Sequence, residues 1–293
     1  MSKKKALLSA LFVMLLWGSL FPVVKVGYAA YHIRTTGDIL LFAGIRFTVC
    51  GAVICLYSLW KDRASYAAVK TSLWPVLLSG FIAVTLHYGF TYLGLNDTDS
   101  SKTAILKQVG VLFYVCFSFL FFKDDKPTLK KSAAAVLGFA GIITINAGSG
   151  GIVFHLGDLF IIAASFCTVF SNVISKKALA TVKPVTMTGV SQLFGGFLLL
   201  AVGIMMGGSM ELTWQKAYIL LYIFAASIIS YCLWFIIVKQ GELSRLFIIK
   251  FAEPMFACIF GALLLGEDIF KIQYLLAFLL IAGGICLSNS REN

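Results

Sequence analysis

The chain has 293 residues, 60% of them apolar and 13% charged, with a formal net charge of +11 and a mean hydropathy of +0.93. A soluble domain is about 45–50% apolar and about 25% charged, so a water-soluble core is excluded and a polytopic membrane protein is indicated. A transmembrane barrel is excluded as well: its strands would alternate apolar and polar residues, whereas residues 219–238 are apolar on every face.

Apolar runs bounded by charges, Gly, Pro or Asp/Asn turns predict ten spanning helices. The first, 6–28, follows Ser2-Lys3-Lys4-Lys5 and contains Trp17, Pro22 and Lys25. Its apolar stretch of about 20 residues exceeds the 7–15 of a signal-peptide core, so it is expected to be retained as a span. Span two, 37–60, carries Arg46. Span three, 74–93, carries His87, Tyr88, Thr91 and Tyr92. Span four, 101–122, carries Lys107 and Gln108, and span five, 132–148, is rich in Ala and Gly. Span six, 155–175, contains Ser171 and Asn172; span seven, 187–206, contains Gln192 and Gly195-Gly196. Span eight, 215–238, holds Tyr231 and Trp234. Span nine, 243–265, holds Lys250 and Glu253, and span ten, 271–288, holds Gly283-Gly284. Trp60, Trp74 and Trp214 fall near span ends, where amphipathic aromatics prefer to lie.

The basic residues orient these spans. With the N-terminus in the cytoplasm, 16 Lys and Arg fall on the cytoplasmic side and 4 on the other (Arg34, Lys102, Lys216 and Lys271). That asymmetry predicts a plasma (inner) membrane protein with both termini inside and an even number of spans. It also accounts for most of the +11, so nucleic acid is not needed as a partner. The seven cysteines all lie in apolar runs without a CxxC pair, and the three histidines have no metal-ligand spacing. They read as packing residues rather than a disulfide framework or metal site. The absence of GxxxxGK[ST], HExxH and GxSxG motifs gives no sign of a nucleotide, a cofactor or an enzyme.

Residues 101–146 align without a gap on 244–289, at an offset of 143, with 12 of 46 positions identical. Lys107 matches Lys250 in this alignment, and Asp124 matches Glu267 conservatively. A period this long marks a duplicated half rather than a solenoid unit. Halves of five spans each, 1–148 and 149–293, must lie in opposite orientations. The expected architecture is therefore an all-α membrane protein of ten transmembrane helices in two inverted five-helix repeats, with a site near the midplane between them.

Several segments resemble a known family. Trp17-Gly18-Ser19 with Pro22 and Lys25, Arg46-Phe47, Gly157-Asp158-Leu159, Ser175-Lys176-Lys177, Glu253-Pro254-Met255-Phe256, Leu265-Gly266-Glu267 and Gly283-Gly284 are similar to EamA-type members of the drug/metabolite transporter superfamily. The resemblance runs the length of the chain. It implies ten helices in two inverted repeats, a central cavity and secondary transport of small metabolites, often export, with Lys25 and Arg46 as hallmark positions. Lys107-Gln108 with Gly110-Val111 departs from the apolar run and Pro usual there, which implies a more polar cavity in the first half.

Charged side chains inside spans cost about 2.5–3.5 kcal/mol each on insertion scales, so they usually face a cavity or one another. Lys25, Arg46, Lys107 and Lys250 stand against Glu253, a formal surplus of +3 that favours anionic or carboxylate-bearing ligands. Lys107 and Lys250 each lie roughly 10 Å into a span and, with the halves inverted, enter from opposite faces. They are candidate ligands for a carboxylate or phosphate, or else snorkelling cations. Glu253, three residues after Lys250, is either its ion-pair partner or a candidate proton-coupling or amine-binding carboxylate, since burial disfavours the charged form of an acid in general. Arg46 and Lys25 either touch substrate or hold helices together. Trp17, His87, Tyr88, Asn172, Gln192, Tyr231 and Trp234 complete the candidate set, each with interhelical hydrogen bonding or aromatic packing as the alternative. The function these features predict is secondary active transport, by alternating access, of a small polar and carboxylate-bearing metabolite. Efflux or exchange is the leading form, and Glu253 is the candidate residue if transport is proton-coupled. A passive facilitator or an organic-anion uptake carrier of the same fold is the alternative, and an intramembrane enzyme a distant third.

Overall fold

The computed structural model describes residues 3–117, 128–148, 151–152, 154–240, 250, 252–268 and 270–288. Six stretches are long and apolar enough to cross a bilayer: Leu8–Ala30, Thr36–Lys61, Leu73–Asp97, Leu156–Ser175, Pro184–Met205 and Trp214–Ile237. Shorter apolar helices cover Ser132–Thr144, Ala252–Leu265 and Ile272–Gly284. Among the described residues, six of the expected ten spans thus appear at full length, spans five and ten are shorter, and spans four and nine are described only in part. The expected fourth span is broken at Lys107, and its residues 118–122 lie outside the described set, as do 243–249 and 251 of the ninth.

In chain order, α1 (Lys3–Ala30) carries Pro22 within it. α2 (Thr36–Lys61) starts from a capping box: the Thr35 hydroxyl accepts from Asp38 N at 3.1 Å while the Asp38 carboxylate accepts from Thr35 N at 2.9 Å. Asp38 also accepts from Ser209 N at 2.8 Å, which fixes a distant loop to this helix start. After the short α3 (Ser65–Thr71), the third span consists of α4 (Leu73–Gly80), a π-helical turn (Phe81–Leu86) and α5 (His87–Asp97). π-Helical turns re-aim the residues that follow them and concentrate at functional sites; this one delivers His87. α6 (Ser100–Leu106) and α7 (Gln108–Phe117) meet at Lys107, where Gly110 N donates to Lys107 O at 3.4 Å in an i→i+3 bond.

α8 (Leu129–Asn146) is followed by a two-residue ribbon, β1 (Ala147–Gly148) against β2 (Gly151–Ile152), antiparallel. Then come α9 (Leu156–Ala178), α10 (Pro184–Met205), a 3-10 turn (Trp214–Lys216), α11 (Ala217–Gln240), α12 (Ala252–Leu265) and α13 (Ile272–Ser288).

The helices pair closely: α2 with α10, α8 with α13, α5 with α9, α1 with α11, α1 with α12 and α7 with α9. Glycine permits the closest of these approaches. A Cβ at Gly44 or Gly51 of α2, or at Gly196 or Gly203 of α10, would strike the backbone of the facing helix. In a bilayer, where apolar burial drives little association, such backbone proximity is what packing relies on.

One end of the bundle is tied across both halves. Lys25 Nζ donates to Thr98 O at 2.9 Å, Lys102 Nζ pairs with the buried Asp158 at 2.8 Å, and the Tyr274 hydroxyl donates to Asp99 at 2.8 Å. Gly266, at φ 64°, ends α12 in the left-handed region and turns Glu267 towards α6. There the Glu267 carboxylate accepts from Ser100 N (2.8 Å), Ser100 Oγ (2.7 Å), Ser101 N (3.0 Å) and Ser101 Oγ (2.6 Å). The Leu265-Gly266-Glu267 triplet is thus a helix stop followed by a cap for a helix in the other half. At the opposite end, Lys183 pairs with Asp62, and Ser58, Thr186 and Ser65 form a hydroxyl chain at 2.7 and 2.9 Å.

Candidate functional site

A cavity of about 1020 Å3, open mouth included, lies among α1, α2, α5, α9, α11 and the two lysine-bearing turns. Its walls follow helical periodicity. α1 contributes Trp17, Leu20, Phe21 and Val24; α9 contributes Thr168, Ser171, Asn172 and Ser175. α5 contributes His87, Tyr88, Thr91, Tyr92 and Leu95, and α11 contributes Tyr231, Trp234 and Phe235. Arg46, Lys107, Lys250 and Glu253 bring the formally charged groups, and Gln108 an amide.

Arg46 is 2% exposed and is held on three sides. Its Nε donates to Ser227 Oγ at 2.8 Å and its Nη1 to the Tyr92 hydroxyl at 2.6 Å. Its guanidinium lies 4.7 Å from the Phe47 ring centre and 5.5 Å from that of Tyr88. All these partners are neutral, so Arg46 joins α2, α5 and α11 while its charge remains uncompensated by them.

The two lysines meet aromatic faces. Lys107 Nζ is 4.9 Å from the Phe21 ring centre; Lys250 Nζ is 5.2 Å from that of Trp234 and 5.7 Å from that of Trp17. Such contacts attract an ammonium group without using its three hydrogen-bond donors. Neither Nζ has a hydrogen-bond acceptor among the described residues. Glu253 is buried, yet its carboxylate makes no hydrogen bond and no ion pair within 4.0 Å among those residues. The expected Lys250–Glu253 contact is therefore only a backbone one, Glu253 N to Lys250 O at 3.0 Å. Lys107, Lys250 and Glu253 are near enough to interact electrostatically.

His87 Nδ1 lies 2.7 Å from Ala164 O. A carbonyl only accepts, so Nδ1 carries the proton, and in the neutral ring Nε2 is then an acceptor. An aromatic wall completes the site, with Trp17 5.1 Å from Trp234 and 5.4 Å from Tyr231, and Phe47 4.2 Å from Tyr88, between ring centres. Two buried polar atoms on the walls, Trp17 Nε1 and Gln108 Oε1, have no hydrogen-bond partner among the described residues.

Ten of the twelve residues singled out in the sequence line this cavity: Trp17, Arg46, His87, Tyr88, Lys107, Asn172, Tyr231, Trp234, Lys250 and Glu253. Lys25 and Gln192 do not. Lys25 is spent on the Thr98 carbonyl. Gln192 is buried on the face of α10 that meets Gly51 of α2. With Lys25 removed from the inventory, the cavity's formal surplus becomes +2, from Arg46, Lys107 and Lys250 against Glu253. Phe21, Gln108, Thr168 and Ser175 were not among the candidates. The i, i+3, i+4, i+7 spacing of Thr168, Ser171, Asn172 and Ser175 is the signal that would have found two of them.

Comparison with known proteins places the chain in a family. The model of the EamA-like transporter family matches residues 4–147 and again 155–289. The chain is 25% identical over 295 residues to the uncharacterized transporter YvbV of Bacillus subtilis, covering 99% of this chain and 93% of that one. It is 24% identical over 281 residues to the uncharacterized inner membrane transporter YedA of Escherichia coli K12, covering 92% and 86% respectively. The WAT1-related protein At3g02690, chloroplastic, of Arabidopsis thaliana is 26% identical over 246 residues, covering 79% of this chain and 58% of that protein. A solved crystal structure, 20% identical and covering 98% of this chain and 97% of its own, shares the fold with a TM-score of 0.68. With both matched segments together taking in nearly the whole sequence, the chain is an integral membrane protein that belongs to the EamA-like transporter family.

Proposed function

We propose that this protein is a secondary active transporter that moves a small carboxylate-bearing metabolite, an amino acid or another anionic or zwitterionic solute, by alternating access. Efflux or exchange across the plasma (inner) membrane, with both termini cytoplasmic, is the form we favour. The observation that carries the reading is the pair Lys107 and Lys250. They occupy matching positions of the two aligned segments and face one cavity, and neither donates to a described acceptor. Charge surplus in a cavity with low-dielectric walls attracts counter-charge, and the solute's carboxylate would supply it.

Ten helices in two inverted repeats, with halves at 1–148 and 149–293, fit the same observations. The double family match supports that division. So does the helix pairing: α5 lies on α9 as α11 lies on α1, and α7 lies on α9 as α12 lies on α1, in the arrangement that exchanging the halves would give. Bonds that tie one end of the bundle support a gated carrier over an open pore. Glu253, buried without a described partner, is the proton-coupling candidate.

The test is a thermal-unfolding screen of purified protein against anionic, zwitterionic, neutral and cationic metabolites. A solute at 100 times its Kd stabilises the state it binds by about 2.7 kcal/mol. Stabilisation confined to carboxylate-bearing solutes is expected; stabilisation by cationic or neutral solutes alone would overturn the reading.

A further inference from the structure

Gln108 is 3% exposed and lines the cavity beside Lys107. Its side-chain nitrogen donates to Ala104 O at 3.3 Å. That bond fixes the amide, because the reversed orientation would set two acceptor oxygens against each other. The Oε1 atom is buried and has no hydrogen-bond partner among the described residues. An unmatched buried acceptor is costly and calls for an explanation. A second neutral acceptor comes from α5, where donation from His87 Nδ1 to Ala164 O leaves Nε2 able to accept. The same cavity therefore offers ammonium donors for an anion and neutral acceptors for an N–H or O–H group.

We infer that Gln108 is a specificity-determining residue whose Oε1 accepts a hydrogen bond from an amino or hydroxyl group of the transported anion. The cavity then selects amino acids and hydroxy acids over plain carboxylates of the same size. This inference rests on the cavity being the solute site, as proposed above. A solute without the donor leaves Oε1 buried and unpaired, which at about 1–3 kcal/mol corresponds to a preference of roughly 5- to 150-fold.

The experiment compares wild-type protein, Gln108→Met and Gln108→Glu by ligand-dependent thermal unfolding. The probes are matched sets: alanine, lactate and propionate; phenylalanine, phenyllactate and 3-phenylpropionate; malate and succinate. Wild type is expected to prefer the donor-bearing members by at least about fivefold in apparent affinity. Gln108→Met, which keeps the volume and removes the acceptor, is expected to bind all members of a set alike. Gln108→Glu, which retains an acceptor, is expected to keep the preference and to tilt it towards the amino over the hydroxy member. Equal discrimination in wild type and Gln108→Met would overturn the role of Gln108 while leaving the carboxylate site standing. Loss of discrimination in Gln108→Glu as well as in Gln108→Met would also overturn it. If no carboxylate in any set stabilises wild-type protein, the reading of the cavity fails and this inference fails with it.

Discussion

Replacing Glu267 by alanine should destabilise the protein although Glu267 does not line the cavity. Its carboxylate accepts four hydrogen bonds, two from backbone N–H groups and two from hydroxyls, at 2.6–3.0 Å. Those N–H groups open α6, whose first turn has no intrahelical acceptors for them. Losing a side-chain cap costs about 1 kcal/mol, with an upper range of about 2. Losing a negative charge at a helix start adds about 0.3–1 kcal/mol. The two serine hydroxyls can rotate to other acceptors, so they add little. The expected cost of Glu267→Ala is about 2 kcal/mol, close to a 30-fold change in the folded-to-unfolded ratio. Glu267→Gln keeps one accepting oxygen and sets an amide N–H2 against two donors, so about half of that loss is expected.

Gly261→Ala probes the same contact independently, since a Cβ there would lie 2.7 Å from Glu267 Oε2 and 2.9 Å from Ser101 Oγ. The assay is equilibrium unfolding in mixed micelles with helicity as the readout. A loss below about 0.5 kcal/mol for Glu267→Ala would rule out this capping role, because even a weak cap is worth that much.

Further outcomes follow from the same geometry. Arg46→Lys keeps the charge but cannot hold Ser227 and Tyr92 at once with a planar fork, so a stability loss of about 1–3 kcal/mol is expected in the same unfolding assay. Lys25→Met should leave ligand-dependent stabilisation unchanged and lower basal stability, because Lys25 bonds the Thr98 carbonyl outside the cavity; a large loss of apparent ligand affinity would contradict that placement. Glu253→Gln should abolish solute accumulation driven by a pH gradient while counterflow exchange persists, and retained proton-driven accumulation would rule Glu253 out as the coupling acid.

Much of this site was legible in the sequence because a charge in an apolar run is conspicuous. Arg46, Lys107, Lys250 and Glu253 each carry an insertion cost that a lipid-facing position would not sustain, and all four line the cavity. Linear sequence does not show which way a given helix is turned. Lys25 and Gln192 look as polar as the others, yet one reaches a backbone carbonyl and the other meets a glycine-lined helix contact. Thr168 and Ser175 escaped notice because a hydroxyl inside a helix usually satisfies itself locally, as Thr168 Oγ1 does on Ala164 O at 3.3 Å. The π-helical turn at Phe81–Leu86 follows Gly80 and the break at Lys107 precedes Gly110, but Gly is common inside membrane helices, so apolar periodicity alone reads both segments as unbroken helices. Glu267 was quoted only as part of a motif. Its role depends on contact with residues 166 and 167 positions earlier in the chain, which no local pattern encodes.

In the proposed transport cycle Lys107 and Lys250 jointly hold the anionic group of the solute. The direct measurement is transport by Lys107→Ala and Lys250→Ala in proteoliposomes, with equal membrane insertion verified, using a carboxylate solute that stabilises the wild-type protein. Each lost charge-assisted hydrogen bond is worth about 1.5–3 kcal/mol, so each variant should lose roughly 10- to 150-fold in transport efficiency. Wild-type kinetics in both variants would contradict the claim.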